Sequence, residues 1–423
     1  MAVLEQSRLE EARAQTLALV EHVCDDDLER VHSPLLSPLV WDLGHIAAFE
    51  DLWLAHRHAG LPLLRPDLAE VYDAFETPRS RRGELPYLRR AAAEEYMEAV
   101  RVRVRGLDVP GEDPVFDLVA RHERQHAETM LQTIALAALS DWRPGGPVAA
   151  QTPGRREGAA SGLELVEIPA TDAFALGAPD DGGFAYDNEQ PQHQVEVEAF
   201  AIGRVPVTNG DWLAFIEAGG YRRPQWWSAE GWRWRCAEDV QRPLHWLDGA
   251  RERDLRGIAK LDPDRPVVHV SCHEAEAFAR SHGLRLPSET EWELAATYDH
   301  ARATRRTWPW GEHPPGPAEA NLIESAVFAP LPVGVLAAGA APCGALGMIG
   351  DVWEWTASEF RGYPGFRAYP YREYSEVFFG PEYRVLRGGA FAASAAVISP
   401  TFRNWDYPQR RQIFSGVRVA ASR

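Results

Sequence analysis

The sequence has no long apolar run and few cysteines, and each shortage excludes a class of protein. No stretch approaches the roughly 18 apolar residues that a membrane-spanning helix requires, so we expect no membrane partner. Residues 1–20 mix acidic side chains into an apolar pattern, which predicts an amphipathic helix rather than a secretory signal. The four cysteines are scattered, without a Cys-x-x-Cys pair, which indicates free thiols in a reducing cytoplasm. They are Cys24, Cys236, Cys272 and Cys343.

Positive charge is also in short supply, because 44 Lys and Arg face 62 Asp and Glu. The resulting net charge of −18 argues against nucleic acid or an acidic lipid surface as the main partner. We therefore expect small-molecule ligands, and we expect the protein to be a monomer. The length of 423 residues predicts more than one domain.

Residues 1–140 have the apolar spacing of helices and predict an antiparallel four-helix bundle. Two of the helices open with a polar residue followed by proline, Ser37-Pro38 and Asp113-Pro114, which predicts an N-cap and a first helical turn. The predicted helices run over about Glu5–Cys24, Ser37–His58, Leu85–Val104 and Asp113–Leu139.

Residues 141–162 are rich in Pro, Gly and small polar residues and predict a linker to a second domain, residues 163–423. This second domain holds most of the 15 tryptophans and few clear helices. Strands are predicted within 163–170, 193–202 and 383–391, and helices within 208–218 and 273–281. Overall, the pattern predicts an α+β, multidomain protein whose second domain has little regular structure.

Three histidines in the predicted bundle form a candidate metal site. His122 and His126 are four residues apart and therefore share one face of a helix. His45 lies in the second predicted helix, which can face the fourth across a bundle. Three neutral imidazoles suit iron or zinc, so ligand type leaves the metal open. Residues 122–126 also match His-Glu-x-x-His, so a zinc hydrolase remains an alternative, although no downstream helix offers a third zinc-protease ligand.

The second domain resembles the formylglycine-generating enzymes, also called sulfatase-modifying factors, in a series of short strings along most of its length. This resemblance implies a C-type-lectin-like fold. No copper-binding cysteine pair stands near Arg387-Gly388-Gly389, so the formylglycine-generating activity itself is not expected. The strings are Phe174–Gly177, Pro206–Asn209, Arg285–Glu293, Trp308–Gly311, Gly350–Thr356, Arg387–Phe391 and Gly416–Arg418.

The first domain resembles the DinB-like metal-binding bundles, which have one early histidine and a late His-x-x-x-His pair. A DinB-like bundle joined to a formylglycine-enzyme-like domain resembles the hercynine oxygenases, the sulfoxide synthases of ergothioneine biosynthesis. That resemblance implies an Fe(II) centre held by His45, His122 and His126, with O2 as co-substrate. It implies that γ-glutamylcysteine is joined through sulfur to the imidazole of hercynine, which is N-α-trimethylhistidine, and that the sulfur is oxidised to a sulfoxide.

The same resemblance implies substrate-binding residues. Arg79 and Arg82, a basic cluster in an acidic protein, would bind the carboxylates of γ-glutamylcysteine together with Asp406 and Arg410. Hercynine would contact Gln125, Tyr374, Asn404 and Trp405, where an aromatic face suits its quaternary ammonium. Tyr371 would be the catalytic proton donor.

Several alternatives remain open at this point. A related synthase could use cysteine or a selenosugar in place of γ-glutamylcysteine, although the ovothiol-type enzymes usually have an added methyltransferase domain that the sequence does not show. A zinc-dependent thiol transferase of the DinB type is the alternative from another class. A structural Ca²⁺ in the second domain is a further expectation.

Overall fold

The structure is a computed structural model that describes residues 2–107, 114–139, 142, 161–180 and 183–423. The chain divides into two compact units. The first contains Met1–Pro147 with Leu255–Gly257, and the second contains Val148–Asp254 with Ile258–Arg423. No helix among the described residues is long and apolar enough to cross a membrane. The predicted linker lies largely outside the described residues, so its boundaries stay a prediction.

Helices make up the first unit, as the sequence predicts. The third predicted helix starts five residues late, because Leu85 precedes a proline and is extended. The helices are α1 (Ala2–Val20), α2 (Asp25–Glu29), α3 (Leu39–Glu50), α4 (Arg90–Arg105) and α5 (Pro114–Ala137), with short 3₁₀ turns at Pro66–Leu68 and Arg79–Glu84.

The second predicted helix ends at His58 as predicted, although it begins differently and its last part is a π-helix. Its N-cap is Pro38, so the prediction that Ser37 caps it was wrong. The hydroxyl of Ser37 instead accepts a hydrogen bond of 2.8 Å from Arg82 Nη1. At its other end α3 continues as a π-helix over Asp51–His58. Asp113, the other predicted cap, lies outside the described residues.

A cluster of four buried charges joins the four long helices of this unit. Arg13 on α1 and Arg101 on α4 each donate to Glu50 on α3, with distances between 2.8 and 2.9 Å. Arg13 also donates to Glu123 on α5 over 2.8 Å. All four side chains are almost fully buried. Such a cluster requires all of its members, because removing one leaves a buried charge without a partner.

The described residues of the second unit form short strands and four α-helices, which confirms the α+β prediction. Its helices are α6 (Asn209–Glu217), α7 (Ala229–Ala237), α8 (Cys272–Ser281) and α9 (Glu289–Thr297). Its strands are β1 (Leu165–Ile168), β2 (Thr171–Leu176), β3 (His193–Val197), β4 (Phe200–Gly203), β5 (Trp246–Leu247), β6 (Arg251–Asp254), β7 (Gly257–Lys260), β8 (Tyr298–Asp299), β9 (Thr304–Arg305), β10 (Trp353–Phe360), β11 (Gly380–Arg387), β12 (Asn404–Asp406), β13 (Ser415–Gly416) and β14 (Ala420–Ser422).

The described strands of this unit form five small sheets, and two of them contain the C-terminal strands. One has the order β1-β4-β14, and the other has the order β12-β11-β10-β13. The single strand predicted over 193–202 is in fact two strands, because β3 pairs with β2 whereas β4 pairs with β1 and β14. The strand predicted over 383–391 ends at Arg387, since Gly388 and Gly389 have positive φ angles of 96° and 83°.

Two helices of the second unit were missed by the sequence analysis. Each begins at a serine N-cap, Ser228 for α7 and Ser288 for α9. Ser288 and Glu291 form a reciprocal capping box, and the Ser-x-x-Glu spacing was a signal that could have identified α9. Buried arginine–glutamate pairs then hold this loop-rich unit together, notably Arg387–Glu293 and Arg418–Glu354.

Candidate metal and substrate site

The bundle brings the three predicted histidines together. His45 lies on α3, and His122 and His126 lie on α5. One ligand atom from each lies within 4.8 Å of the others, and His45 Nε2 is 3.2 Å from His122 Nε2. Two imidazole nitrogens bound at a right angle, each about 2.1 Å from an ion, would be about 3 Å apart. The spacing therefore fits one metal ion.

Hydrogen bonds orient two of these rings for ligation. His45 Nδ1 donates to the carbonyl oxygen of Tyr72 over 2.7 Å, and His126 Nδ1 donates to Asp42 Oδ1 over 3.2 Å. Each bond places the proton on Nδ1 and leaves the Nε2 lone pair available for a metal. The ring of Phe49 stacks on His122 with 3.6 Å between centroids. His122 and His126 are thus held by contacts with Phe49 and Asp42 of α3.

The electrostatics of the site also suit a cation. Burial lowers the pKa of His45 and of His122 well below the usual value for histidine, so both are neutral near pH 7 and able to ligate. Asp42 is fully buried, and its Oδ2 atom has no hydrogen-bond partner among the described residues. A buried carboxylate behind a ligand histidine is a common outer partner of a metal site. The donor set therefore fits a bound divalent ion.

Glu123 does not play the part that the His-Glu-x-x-His string would give it in a zinc protease. Its carboxylate accepts hydrogen bonds from Arg13, at 2.8 Å and 3.4 Å, and from Arg101 at 3.4 Å. Only 1% of the residue is exposed. A carboxylate held by two buried guanidinium groups is unsuited to act as a general base for water. The string is therefore satisfied in sequence without its usual chemistry.

Among the described residues, no other group of three or more His, Cys, Asp and Glu side chains has the arrangement of a metal site. Calcium sites also use backbone carbonyl ligands, so the expectation of a structural Ca²⁺ stays a prediction. The four cysteines are free.

The two arginines that are predicted to bind carboxylates of γ-glutamylcysteine differ in their surroundings. Arg79 is exposed at the start of the 3₁₀ turn, whereas only 6% of Arg82 is exposed. Arg82 donates to the carbonyl oxygens of Thr77 and Ala74 and to Ser37. Burial lowers its pKa to about 10. Much of the hydrogen-bonding capacity of Arg82 is thus used inside its own unit, which sequence reasoning did not foresee.

Arg82 also lies against the metal site through an aromatic ring. Its guanidinium carbon is 4.0 Å from the ring centroid of Trp41, and Trp41 stacks on His45 at 4.8 Å with 12° between the ring planes. Trp41 Nε1 donates to Val71 O over 3.0 Å, which fixes the indole. Trp41, Asp42, Phe49 and Tyr72 were missed by the sequence analysis. An aspartate inside the apolar run of α3 was the one signal that pointed to them.

In the second unit, the structure groups three of the predicted aromatic residues. Tyr374 makes edge contacts with Tyr371 and with Trp405, with centroid distances of 6.2 and 6.0 Å. Trp405 stacks on Phe360 at 4.2 Å. Tyr371, Tyr374 and Trp405 are each partly exposed, so the cluster has an accessible surface. Such a surface is suited to a cation.

The remaining predicted residues of this unit lie on or next to β12. Asn404, Trp405 and Asp406 form that strand, which pairs with β11. Arg410 Nε lies 3.6 Å from Asp406 Oδ1. Gln125 lies in the other unit, on α5 between His122 and His126. These placements do not test any contact with a substrate, so the assignment of these residues stays a prediction.

Known proteins match both units. The DinB superfamily matches residues 8–130, and the sulfatase-modifying factor enzyme 1-like domain matches residues 156–423. The hercynine oxygenase of Mycolicibacterium thermoresistibile is 46% identical, over 98% of this chain and 93% of that protein. The chain belongs to the hercynine oxygenase family.

Other relatives agree with membership of the hercynine oxygenase family. The hercynine oxygenase of Mycobacterium tuberculosis is 46% identical over 97% of each chain. The formylglycine-generating enzyme of the same organism is 33% identical but aligns with 49% of this chain. Membership of the hercynine oxygenase family confirms the predicted family and two-domain architecture, and it makes the chain an oxygenase.

Proposed function

We propose that this oxygenase is a sulfoxide synthase that joins γ-glutamylcysteine to hercynine with Fe(II) and O2. One hercynine C–H bond and one S–H bond break, and a C–S bond and an S–O bond form. O2 is reduced by four electrons to the sulfoxide oxygen and one water molecule. The observation that supports this reaction best is the buried three-histidine site in a chain that aligns end to end with hercynine oxygenases.

Iron is the metal that we propose for the site. An Fe(II) ion held by three neutral imidazoles would supply the electrons that start O2 reduction and would leave positions open for substrates. His45, His122 and His126 would hold it. Tyr72 O and Asp42 would keep two of the rings in the ligating tautomer, and Phe49 would exclude water from the third. The carboxylate of Glu123 is held by Arg13 and Arg101 and cannot act as a general base, which disfavours the zinc hydrolase alternative.

The aromatic cluster of the second unit is the proposed site for the trimethylammonium group of hercynine. Trp405 and Tyr374 present ring surfaces, which attract a quaternary ammonium through the ring quadrupole. We also assign Asn404 and Gln125 to hercynine, because both have amide groups that can hydrogen-bond a carboxylate or an imidazole. Tyr371 is the proposed donor of a proton to the oxygen that leaves as water.

The thiol substrate has two carboxylates, and we propose that arginines bind them. Arg79 is the exposed member of the first pair, and Arg82 supports the same turn. Asp406 and Arg410 are proposed to bind the ammonium and a carboxylate of the γ-glutamyl group. We further propose that the protein works in the cytoplasm, where its four free cysteines stay reduced.

The test is O2 consumption by the iron-loaded enzyme with both substrates, each substrate alone, and neither. We expect rapid O2 consumption only when both substrates are present. The mass of the product should equal the sum of both substrates plus one oxygen atom minus two hydrogen atoms. His126→Ala should abolish turnover, whereas His22→Ala, which changes an exposed histidine of the same unit, should not. Full activity in His126→Ala, or no product from the iron-loaded enzyme with both substrates, would overturn the proposal.

The choice of thiol is tested separately. We expect higher turnover with γ-glutamylcysteine than with cysteine or a selenosugar, because Arg79 offers a partner for the additional carboxylate. If cysteine is preferred, and Arg79→Ala lowers turnover with either thiol equally, the dipeptide assignment is wrong. Metal analysis addresses the zinc-dependent transferase, since stoichiometric zinc that supports turnover without O2 would favour that alternative.

A further inference from the structure

A buried turn in the second unit contacts the two chain segments of that unit that hold proposed hercynine residues. The turn comprises Tyr186–Glu189, and its last three residues form a 3₁₀ turn. Each of its four side chains is at most 4% exposed. Buried polar side chains of this kind require hydrogen-bond partners, and here the partners come from two distant parts of the chain.

The first of these parts is the segment that includes Tyr371 and Tyr374. Asp187 Oδ1 accepts a hydrogen bond from the hydroxyl of Ser375, and Asn188 Nδ2 donates to that hydroxyl over 3.1 Å. The backbone N–H of Tyr369 donates to Asp187 Oδ2 over 3.3 Å. The ring of Tyr186 stacks on Tyr374 at 4.8 Å, with 5° between the planes.

The second part is the segment that leads into Asn404 and Trp405. Glu189 Oε2 accepts hydrogen bonds from the hydroxyls of Thr401 and of Ser399, the latter over 3.2 Å. Arg403 Nη1 donates to the carbonyl oxygen of Asn188 over 2.7 Å. Tyr186 also makes an edge contact with Phe402, with 5.4 Å between centroids. One turn therefore holds the tyrosine segment on one side and the β12 segment on the other.

These contacts matter because the tyrosine segment has little regular structure of its own. Between β10 and β11, residues 361–379 form one short 3₁₀ turn and no strand. A segment without a backbone ladder depends on side-chain contacts for its position. The contacts also have a cost, since burial raises the pKa of Asp187 to about 6. Ser375 and the Tyr369 N–H offset that cost by donating to the carboxylate.

We propose that the Tyr186–Glu189 turn is a positioning element that sets the spacing between Tyr371 and Tyr374 on one side and Asn404 and Trp405 on the other. Ser375 and Thr401 are then positioning residues for hercynine, although neither has been assigned to its binding. The inference rests on the proposed function, and it predicts a larger effect on hercynine binding than on thiol binding.

The test measures the KM for each substrate in two nearly isosteric variants. Ser375→Ala removes the hydroxyl shared by Asp187 and Asn188, and Thr401→Val removes the hydroxyl bound to Glu189. We expect each variant to raise the KM for hercynine about tenfold, as expected for the loss of one buried hydrogen bond. The KM for the thiol should change by less than about twofold in Ser375→Ala. In Thr401→Val it should rise less than the KM for hercynine, because Asp406 lies on the same strand as Asn404 and Trp405. Equilibrium binding of hercynine to the iron-loaded enzyme without O2 should weaken to a similar extent.

The matched control is Ser394→Ala. Ser394 is also a buried serine that donates to a carboxylate, Glu324 Oε1, over 2.6 Å. The hydrogen bond that this variant loses is made to Glu324 and not to the turn, so both KM values should stay unchanged while the melting temperature falls.

Three results would overturn the inference: an unchanged KM for hercynine in both variants, an equal rise for both substrates, or the same profile in the control. If Ser375→Ala fails to fold, Thr401→Val decides the question. If the unmodified enzyme does not turn over hercynine, the proposed function fails instead, and the two failures are distinguishable.

Discussion

The metal centre and the aromatic cluster are built by different means. The three histidines of the metal centre lie on two α-helices, and the buried charge cluster links those helices to their neighbours. Tyr371 and Tyr374 of the second unit lie on an irregular segment held by side-chain contacts with Tyr186–Glu189. Helix geometry fixes the first site through many backbone bonds, whereas a few buried polar contacts fix the second. Substitutions should therefore affect the two sites in different ways.

Among residues that are not metal ligands, the largest loss of turnover is expected at Tyr371. Tyr371→Phe removes the proposed proton donor and should lower kcat about 100-fold or more, while the KM for hercynine changes little. Steady-state kinetics under saturating O2 measure both values. Tyr374→Phe serves as the comparison, because its ring should bind hercynine without donating a proton. A smaller loss in Tyr371→Phe than in Tyr374→Phe would move the role to the second tyrosine.

A stability experiment addresses the foundation of the metal centre. Glu50→Ala leaves Arg13 and Arg101 with an unbalanced positive charge in the bundle core, so we expect the free energy of unfolding to fall by about 3–5 kcal/mol. Chemical denaturation followed by circular dichroism measures this change. Glu98→Ala breaks an exposed pair with Arg105 and should have little effect. Equal losses in the two variants would contradict a special role for the cluster.

The orientation of the metal ligands can be weakened without removing them. Asp42→Asn keeps the size of the side chain but weakens the acceptor for His126 Nδ1, so we expect metal affinity to fall about 10- to 100-fold. Competition with a chelator measures the Kd, and turnover should recover at saturating metal. Asp51→Asn is the matched control, since Asp51 is a buried aspartate that pairs with Arg103 and touches no ligand histidine. Equal affinities in the two variants would argue against the outer-partner role.

The smallest effect is expected at Trp405. Trp405→Leu removes an aromatic face but keeps an apolar side chain, so the KM for hercynine should rise between about three- and thirty-fold. Histidine, which lacks the trimethylammonium group, tests the reason. Discrimination between hercynine and histidine should shrink in the variant. An unchanged ratio would mean that Trp405 contributes packing rather than recognition of the cation.

The same difference explains what the sequence could predict. The 3.6-residue period places His122 and His126 on one face, so that half of the metal site follows from spacing alone. Periodicity cannot place Asp42 behind His126 or Trp41 between His45 and Arg82, because those contacts depend on how α3 packs in the bundle.

In the second unit the limit is more severe. Ser375 and Asn188 are 187 residues apart in sequence, and no local sequence pattern predicts their contact. We propose that this contact helps to position Tyr371 and Tyr374. Their assignment came from resemblance to a family rather than from spacing, and it stays a prediction. Helix α9, by contrast, could have been predicted from its Ser-x-x-Glu capping pattern.

The four-charge cluster of the bundle has a consequence for how this sequence can change. Its two arginines and two glutamates sum to zero, so a single neutral substitution at any of the four positions leaves one net charge in the core. Tolerated changes would have to come as pairs of opposite sign, or as a simultaneous exchange of all four for apolar residues of similar volume. Substitutions at the apolar positions around the cluster can occur one at a time, whereas substitutions at these four positions are tolerated only in combination.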